Sequence, residues 1–378
     1  MEKLKPIEGK IWTKPFQVLT ALAVISVILI AKRFIFGLGD VTGLNDGYPW
    51  GLWIVYDVVT GTAIACGGYA MAILVYIFNR GDYHPLVRSA LMVSLFGYTL
   101  ATVAIFIDVG RYWQLHNVFM PNYFNPNSAM FEVASCITLY VIVMWIEFSP
   151  AFMEKLQKKK QLKTINRLMF IFIALGVVLP TMHQSSLGTL MIAAGEKLSP
   201  LFQTMFLPLL FLISAISMGF SIVVFESIYS SLALKRPIET PLLSKLAKLI
   251  PWLIVVFLVI RFGDIIYRGE LGLIFNFDLA SIMFIIELLM FLIPAIILFS
   301  EKNRSSSQKL FVTSAVIVLA GSLYRFDTFI VVFNPGHGYH YFPAFQELMI
   351  TIGIIAMEIM AYLIFIKRLP VLPEVKHA

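Results

Sequence analysis

Ten stretches of this chain each run about 20 residues with almost no polar relief. No other feature restricts the possible fold so strongly. A helix crosses bilayer hydrocarbon in about 20 apolar residues, and backbone inside that layer must satisfy its own hydrogen bonds. The runs fall at 16–36, 52–78, 89–110, 129–150, 167–184, 204–230, 250–267, 281–300, 311–331 and 346–366. The expectation is an all-α, polytopic membrane protein. It is one integral membrane domain over 1–378, with an N-terminal tail at 1–15, ten transmembrane helices within 16–366 and a C-terminal tail at 367–378. Composition agrees: 13% of residues are charged, against about 25% in soluble domains. The first run follows a basic segment, but it is long enough to span and lacks a small-residue cleavage site, so it reads as a retained helix.

The formal charge of +7 does not point to nucleic acid, because the basic residues sit in short connectors between apolar runs. That distribution sets orientation in a membrane. With the N-terminus inside, the inner segments carry Lys3, Lys5, Lys10, Lys14, Arg80, Arg88 and the basic run from Lys155 to Arg167. They also carry Lys235, Arg236, Lys245, Lys248, Lys302, Arg304, Lys309, Lys367, Arg368 and Lys376, in all 22 of the 29 Lys and Arg residues. The outer side has Lys32, Arg33, Arg111, Lys197 and Arg268. Both termini are expected to be cytoplasmic, in a bacterial inner membrane. The outer loops, GLGDVTGLNDGYPWG, RYWQLHNVFMPNYFNPNS and FNPGHGYHYFPAF, are rich in Gly, Pro and aromatics. Trp50, Trp53, Tyr112, Trp113, Tyr339 and Tyr341 suit an interfacial belt, and the loops as a whole suit a docking face.

A faint internal repeat links GGYAMAILVYIF of the second run with MGFSIVVFESIY of the sixth, SAMFEVA of the fourth with SIMFIIEL of the eighth, and DVGRY with GDIIYRG. It predicts two four-helix bundles, spans 2–5 and 6–9, flanked by spans 1 and 10.

Chemistry concentrates in LPTMHQSSLG, Leu179 to Gly188. Pro180 removes a helix hydrogen bond and frees a carbonyl near Val177. Just beyond it, His183 can give or take a proton at physiological pH. Alone, the stretch also reads as a helix end meeting water. Eleven charged residues within the spans tip the balance: Asp57, Asp108, Glu132, Glu147, Glu226, Arg261, Asp264, Glu287, Arg325, Asp327 and Glu358. Each costs about 3 kcal/mol at the bilayer centre. Asp57, Glu132 and Glu287 come early in spans that start outside, and Asp108, Arg261, Asp264, Arg325 and Asp327 come late in spans that start inside. All eight therefore share the outer half with His183. Asp108 with Arg111, and Arg261 with Asp264, are three residues apart and share a helix face. Ion-paired spacers account for some of these residues, and an outer polar pocket accounts better for the set. Glu147 and Glu226 read as interfacial.

The histidine inventory argues against a b-type haem, which needs histidines on facing helices. His84, His116, His337, His340 and His377 all fall in loops or tails. Cys66 and Cys136 lie inside apolar runs without any CxxC or Cys/His cluster, so no iron–sulfur cluster or other metal site is expected in this chain.

The segments PWGLWIVYD, ACGGYA, FNRGDYHPLVR, LFGY, IDVGRYW, LPTMHQSSLG, MGFSIV, LVIRFGDIIYR, FNPGHGYHYFP and RLPVLP follow one another over nearly the whole chain. In this the chain resembles the NrfD/polysulfide-reductase family of membrane subunits, and within it the HybB-type branch that serves periplasmic nickel–iron hydrogenases. It departs at DVGRY, where the wider family often has DLGRP. The resemblance implies a haem-free subunit that binds a quinone, menaquinone being expected, in the outer half. Its implied partners are a periplasmic ferredoxin-like iron–sulfur subunit and the large and small hydrogenase subunits, besides membrane lipid.

Reduction of a quinone takes two electrons and two protons. His183 is the expected ligand of one carbonyl, by donating and being reprotonated, and Asp108 beside Arg111 is expected at the other side. Gln184, Ser185, Trp53 and Tyr112 are candidate pocket walls. Asp57, Glu132, Asp264, Glu287, Arg261, Arg325, Asp327 and Glu358 are a candidate proton path, with Glu358 as an inner relay or a passive packing residue. Membrane subunits of other periplasmic oxidoreductases, of polysulfide or molybdenum type, share the same pattern. A secondary transporter suits the repeats and broken helices, but its polar groups would be expected at the midplane. A purely structural anchor would not need the carboxylates.

Overall fold

The fold was described from a computed structural model over residues 4–373. Lys3, Lys376 and His377 lie outside these residues. Ten helices among the described residues are long and apolar enough to cross a membrane. They are α1 (Lys14–Phe36), α2 (Trp53–Ile77), α3 (Gly81–Asp108), α4 (Ala129–Lys155), α5 (Lys159–Ala193), α6 (Leu207–Ala233), α7 (Thr240–Tyr267), α8 (Leu279–Phe299), α9 (Ser307–Val331) and α10 (Phe345–Arg368). The all-α polytopic fold expected from the apolar runs is the fold observed.

Successive helices pack as neighbours from α2 to α5 and from α6 to α9, α9 returns to α6, and α1 lies along α10. Glycine allows the closest approaches. A Cβ on Gly219 of α6 would lie 2.6 Å from the Cys66 carbonyl oxygen of α2, and one on Gly353 of α10 would lie 2.0 Å from Ser26 Cβ of α1. The α2–α6 crossing therefore joins the two stretches that the repeat aligns.

The main departure from the sequence reading lies in α5. The apolar run predicts a helix end near 184, whereas the helix continues to Ala193 and carries Pro180 in its interior. Serine and threonine hydroxyls past the proline bond back onto carbonyls of the same helix. Thr181 Oγ1 donates to Val177 O at 2.7 Å, Ser185 Oγ to Thr181 O at 2.9 Å and Ser186 Oγ to Met182 O at 2.8 Å. Such back-bonding satisfies carbonyls in a proline-containing membrane helix. His183 is therefore ten residues, about 15 Å, from the helix end, and LPTMHQSSLG is no helix terminus.

Two helices also contain π-helical turns. Trp53–Thr60 and Ile73–Ile77 are π-helical in α2, and Asp327–Val331 closes α9. Insertions of this kind re-aim side chains, and they recur at functional sites.

The two ends of the molecule differ. At one end the loop before α2 and the loop before α10 are stitched together. Glu347, in the first turn of α10, accepts from the backbone of Gly43 and Ala344, both at 2.8 Å, and from Tyr341 Oη at 2.7 Å. Trp50 and Trp53, expected in the interfacial belt, are buried instead, because their indole N–H groups donate to the carbonyls of Phe329 and Glu347. Trp113 and Tyr339 remain exposed. The other end carries both ends of the described segment, residues 4 and 373. There Leu4–Lys5 (β1) pairs antiparallel with Leu372–Pro373 (β2). Arg88 donates to Pro370 O and makes a bidentate pair with Glu154 at 2.7 and 2.9 Å, and Arg236 donates to Pro373 O.

Candidate functional site

A fully buried polar network is built where α2, α5, α6 and α9 meet. Thr62 follows the π turn of α2, and its hydroxyl donates to Val58 O at 2.6 Å. The same oxygen receives Gln184 Nε2 at 3.1 Å and lies 3.1 Å from His183 Nε2. With its proton committed to Val58, Thr62 acts as acceptor from both. His183 is accordingly assigned as the Nε2–H tautomer, an assignment that follows from the network. Nδ1 of His183 is then a buried acceptor without a hydrogen-bond partner among the described residues. The edge of Tyr98 from α3 stands 5.8 Å from the imidazole, centroid to centroid, and the Tyr98 hydroxyl lies 3.8 Å from Cys66 Sγ.

Gln184 passes the network to Arg325. Its Oε1 accepts Arg325 Nη2 at 3.2 Å, and the guanidinium also donates to Ser214 Oγ, Gly321 O and Phe211 O. Arg325 is fully buried, and among the described residues no carboxylate pairs with it. Its charge is carried by hydroxyl, amide and carbonyl dipoles, an arrangement in which a buried cation retains field strength.

Two further polar groups flank this centre. On one side, Arg33 of α1, expected on the outer side at the end of the first run, is buried and donates to Ile107 O at 2.5 Å and Val109 O at 2.6 Å, on both sides of Asp108. Its guanidinium lies 5.4 Å from the Tyr112 ring. The expected Asp108–Arg111 pair does not form; Arg111 is exposed. Asp57 receives the Thr351 hydroxyl at 3.4 Å, and Glu358 reaches the α3 backbone at Gly97, whose Cβ would lie 3.6 Å from Glu358 Oε1. On the other side, Arg261 pairs with Glu287 of α8 and not with Asp264. Four aromatic rings, Phe202, Phe257, Phe284 and Tyr324, surround the Arg261 guanidinium. Asp264 pairs instead with Arg268, at 2.7 Å. The two pairs fail differently: Arg111 turns to solvent and leaves Asp108 Oδ1 buried without a hydrogen-bond partner among the described residues, whereas Arg261 turns to the facing helix. Sharing a face with a neighbour three residues on is worth a few tenths of a kcal/mol, whereas a charge that points inward must be met by whatever helix faces it.

The candidate residues therefore divide. His183, Gln184 and Arg325 meet at the centre. Asp108, Tyr112, Trp53, Asp57 and Glu358 belong to the side that includes Arg33, and Arg261, Glu287 and Asp327 to the opposite side. Arg111 and Glu132 lie near the stitched loops, and Glu132 is partly exposed in the first turn of α4. Ser185 bonds only to its own helix. Ten residues of α3, about 15 Å of rise, separate Tyr98 at the imidazole from Asp108. Sequence reasoning misses Thr62, Arg33 and Glu347. Threonine in an apolar run gives no signal of its own, Arg33 sits at a run's edge, and Glu347 is visible only as an acidic residue three positions past a proline-containing loop end.

Among the described residues ten membrane-spanning helices enclose a buried His–Thr–Gln–Arg centre between the two halves of the chain. The chain belongs to the polysulphide reductase, NrfD family, whose model matches residues 40–367. It is 49% identical over 376 residues to a protein of Escherichia coli (strain K12) named probable Ni/Fe-hydrogenase 2 b-type cytochrome subunit, covering 99% of this chain and 96% of the relative. It is 32% identical over 165 residues to the menaquinone reductase, integral membrane subunit, of Nitratidesulfovibrio vulgaris, covering 40% and 37%. With a selenate reductase subunit of Mesobacillus selenatarsenatis it shares 26% over 177 residues, covering 45% and 39%. These relatives are subunits of oxidoreductases, and this chain is a membrane component of that kind.

The name of the Escherichia coli relative overturns the haem-free expectation, which rested on the placement of histidines. In the geometry, His183 is a buried histidine within a span, with Nδ1 unpartnered. No second histidine faces it among the described residues, so these residues do not assemble a bis-histidine pair.

Proposed function

We propose that this chain is the quinone-reducing membrane subunit of a respiratory nickel–iron hydrogenase. In this reading the stitched loops face the periplasm and dock an iron–sulfur subunit, which carries electrons from the large and small hydrogenase subunits. The end with the terminal strands and most of the basic residues faces the cytoplasm, in keeping with the positive-inside distribution. Near full-length identity to the hydrogenase 2 relative, against less than half coverage of the menaquinone and selenate reductase relatives, favours a hydrogenase over another oxidoreductase as partner. The menaquinone reductase relative supports a menaquinone as acceptor.

The observation that carries the proposal is the unpartnered His183 Nδ1 at the centre of a buried network in which His183 Nε2, Thr62 and Gln184 all have partners. In the Nε2–H tautomer Nδ1 is an acceptor; when the imidazole takes up a second proton, Nδ1 donates to a quinone carbonyl, and once that proton has passed, the same atom accepts from the quinol hydroxyl. Thr62 fixes the ring, and Gln184 couples it to the Arg325 charge.

The test is His183→Ala in the intact complex, with hydrogen-dependent quinone reduction compared with hydrogen-dependent dye reduction at the associated hydrogenase. Quinone reduction should fall at least a hundredfold while dye reduction reports normal assembly. Quinone activity that survives with unchanged apparent affinity places the site elsewhere.

A further inference from the structure

A cavity of about 630 Å³ opens at the end that carries the terminal strands, between α2, α3, α4 and α5. Its mouth is polar, with the Arg88–Glu154 pair, Asp82 and Asn166, and its inner wall includes Gly68 and Glu147. Glu147 lies eight residues, about 12 Å, inside the end of α4. Gly176 makes room for its carboxyl: a Cβ at that position would lie 2.8 Å from Glu147 Oε1. The carboxyl makes no hydrogen bond or ion pair to any described residue. A carboxyl in an apolar wall without a protein partner takes its hydrogen bonds from water, and this volume holds roughly twenty water molecules at ~30 Å³ each.

From Glu147 a row of buried phenols leads inward. Tyr140 stands two turns along the same face of α4, its ring 4.7 Å from that of Tyr98, which borders His183. Beside this row the Tyr69 and Thr181 hydroxyls are 2.7 Å apart.

We propose that this cavity is a water-filled inlet from the terminal side and that Glu147 is the group that passes protons from it, through the Tyr140 and Tyr98 hydroxyls, to the His183 centre. The inference rests on the quinone reading. Per quinone reduced to quinol, two electrons come from the iron–sulfur donor docked at the opposite end, and two protons enter by this route. Proton consumption on the terminal side then accompanies electron entry from the other side, and turnover charges the membrane.

Two experiments on the intact complex test it. Ala72→Cys and Met169→Cys are each exposed, in sealed vesicles, to a charged, membrane-impermeant methanethiosulfonate added to one side, with buried native Cys66 and Cys136 as the background. The introduced thiols should react from the terminal side and not from the other. Thiols that resist the reagent from both sides, as they would in a lipid-filled crevice, overturn the inlet. In proteoliposomes, Glu147→Gln should slow quinone reduction and terminal-side proton uptake together at least tenfold, with Glu147→Asp partly restoring both. Unchanged rate and unchanged sidedness in Glu147→Gln overturn the role of Glu147. The two readings fail separately: retained quinone reduction in His183→Ala sinks the quinone site and leaves the thiol result standing, whereas unreactive thiols sink the inlet alone.

Discussion

At the residue scale the interior is governed by how each inward-pointing charge is met. Arg261 and Glu287 are buried partners, and removing one leaves the other uncompensated at a cost of about 3–5 kcal/mol. Arg268 and Asp264 are partly solvent-exposed, and such pairs contribute about 0–1 kcal/mol. Arg261→Leu should therefore lower the thermal midpoint of the detergent-solubilised protein far more than Arg268→Leu does. Equal shifts would contradict the assigned partners. Because replacing both buried partners by apolar side chains is often neutral, the double substitution Arg261→Leu with Glu287→Leu should recover most of the lost midpoint. His183, Gln184, Arg325, Glu287 and Asp327 were legible as buried polar residues because a membrane makes any such residue conspicuous. The partners of His183, Gln184, Arg325 and Glu287 were not legible, and Asp327 has no hydrogen-bond partner among the described residues. Spacing along one helix reports which residues share a face, and it carries no information on what stands opposite.

At the scale of elements, the spans were legible from the length and purity of the apolar runs, and α5 shows where that signal stops. Polar residues after a proline resemble an ending, yet their hydroxyls bond back onto the same helix, which runs on to Ala193. Thr181→Val should cost about 1–3 kcal/mol, because it strips a hydroxyl shared by Val177 O and Tyr69 Oη and leaves buried groups unpaired. Pro180→Ala, which restores a backbone donor, should cost less than Thr181→Val. A comparison of the two thermal midpoints decides the point, and the reverse order would show that the hydroxyl ladder does not carry the helix. The α2–α6 crossing offers a second check. Gly219→Val places methyl groups against the Cys66 carbonyl and should impair assembly of the complex, read as the fraction recovered intact by size-exclusion chromatography. Normal recovery would mean that the two halves can part at no cost. The repeat pointed to these two stretches, but that they touch each other was visible only in three dimensions.

At the scale of the whole molecule, the terminal strands and the α1–α10 pair close the chain on itself. None of this closure was legible, because two residues of strand at either end leave no periodic trace. It also sets a timetable for biogenesis. β1 includes Leu4 and its partner β2 ends at Pro373, so some 370 residues must be synthesised between them, which takes roughly 20–70 s at 5–20 residues per second. Throughout that interval α1 has left the ribosome without the helix it packs against, and Ser26 waits for the backbone of Ile350. Nascent chains arrested before α10 should keep a protease site engineered next to Leu4 open to cleavage, while full-length chains should protect it. Equal protection in the two would show that closure does not wait for the end of translation. A membrane quality-control protease that recognises the unpaired first helix would thereby distinguish finished from unfinished copies by a single docking event.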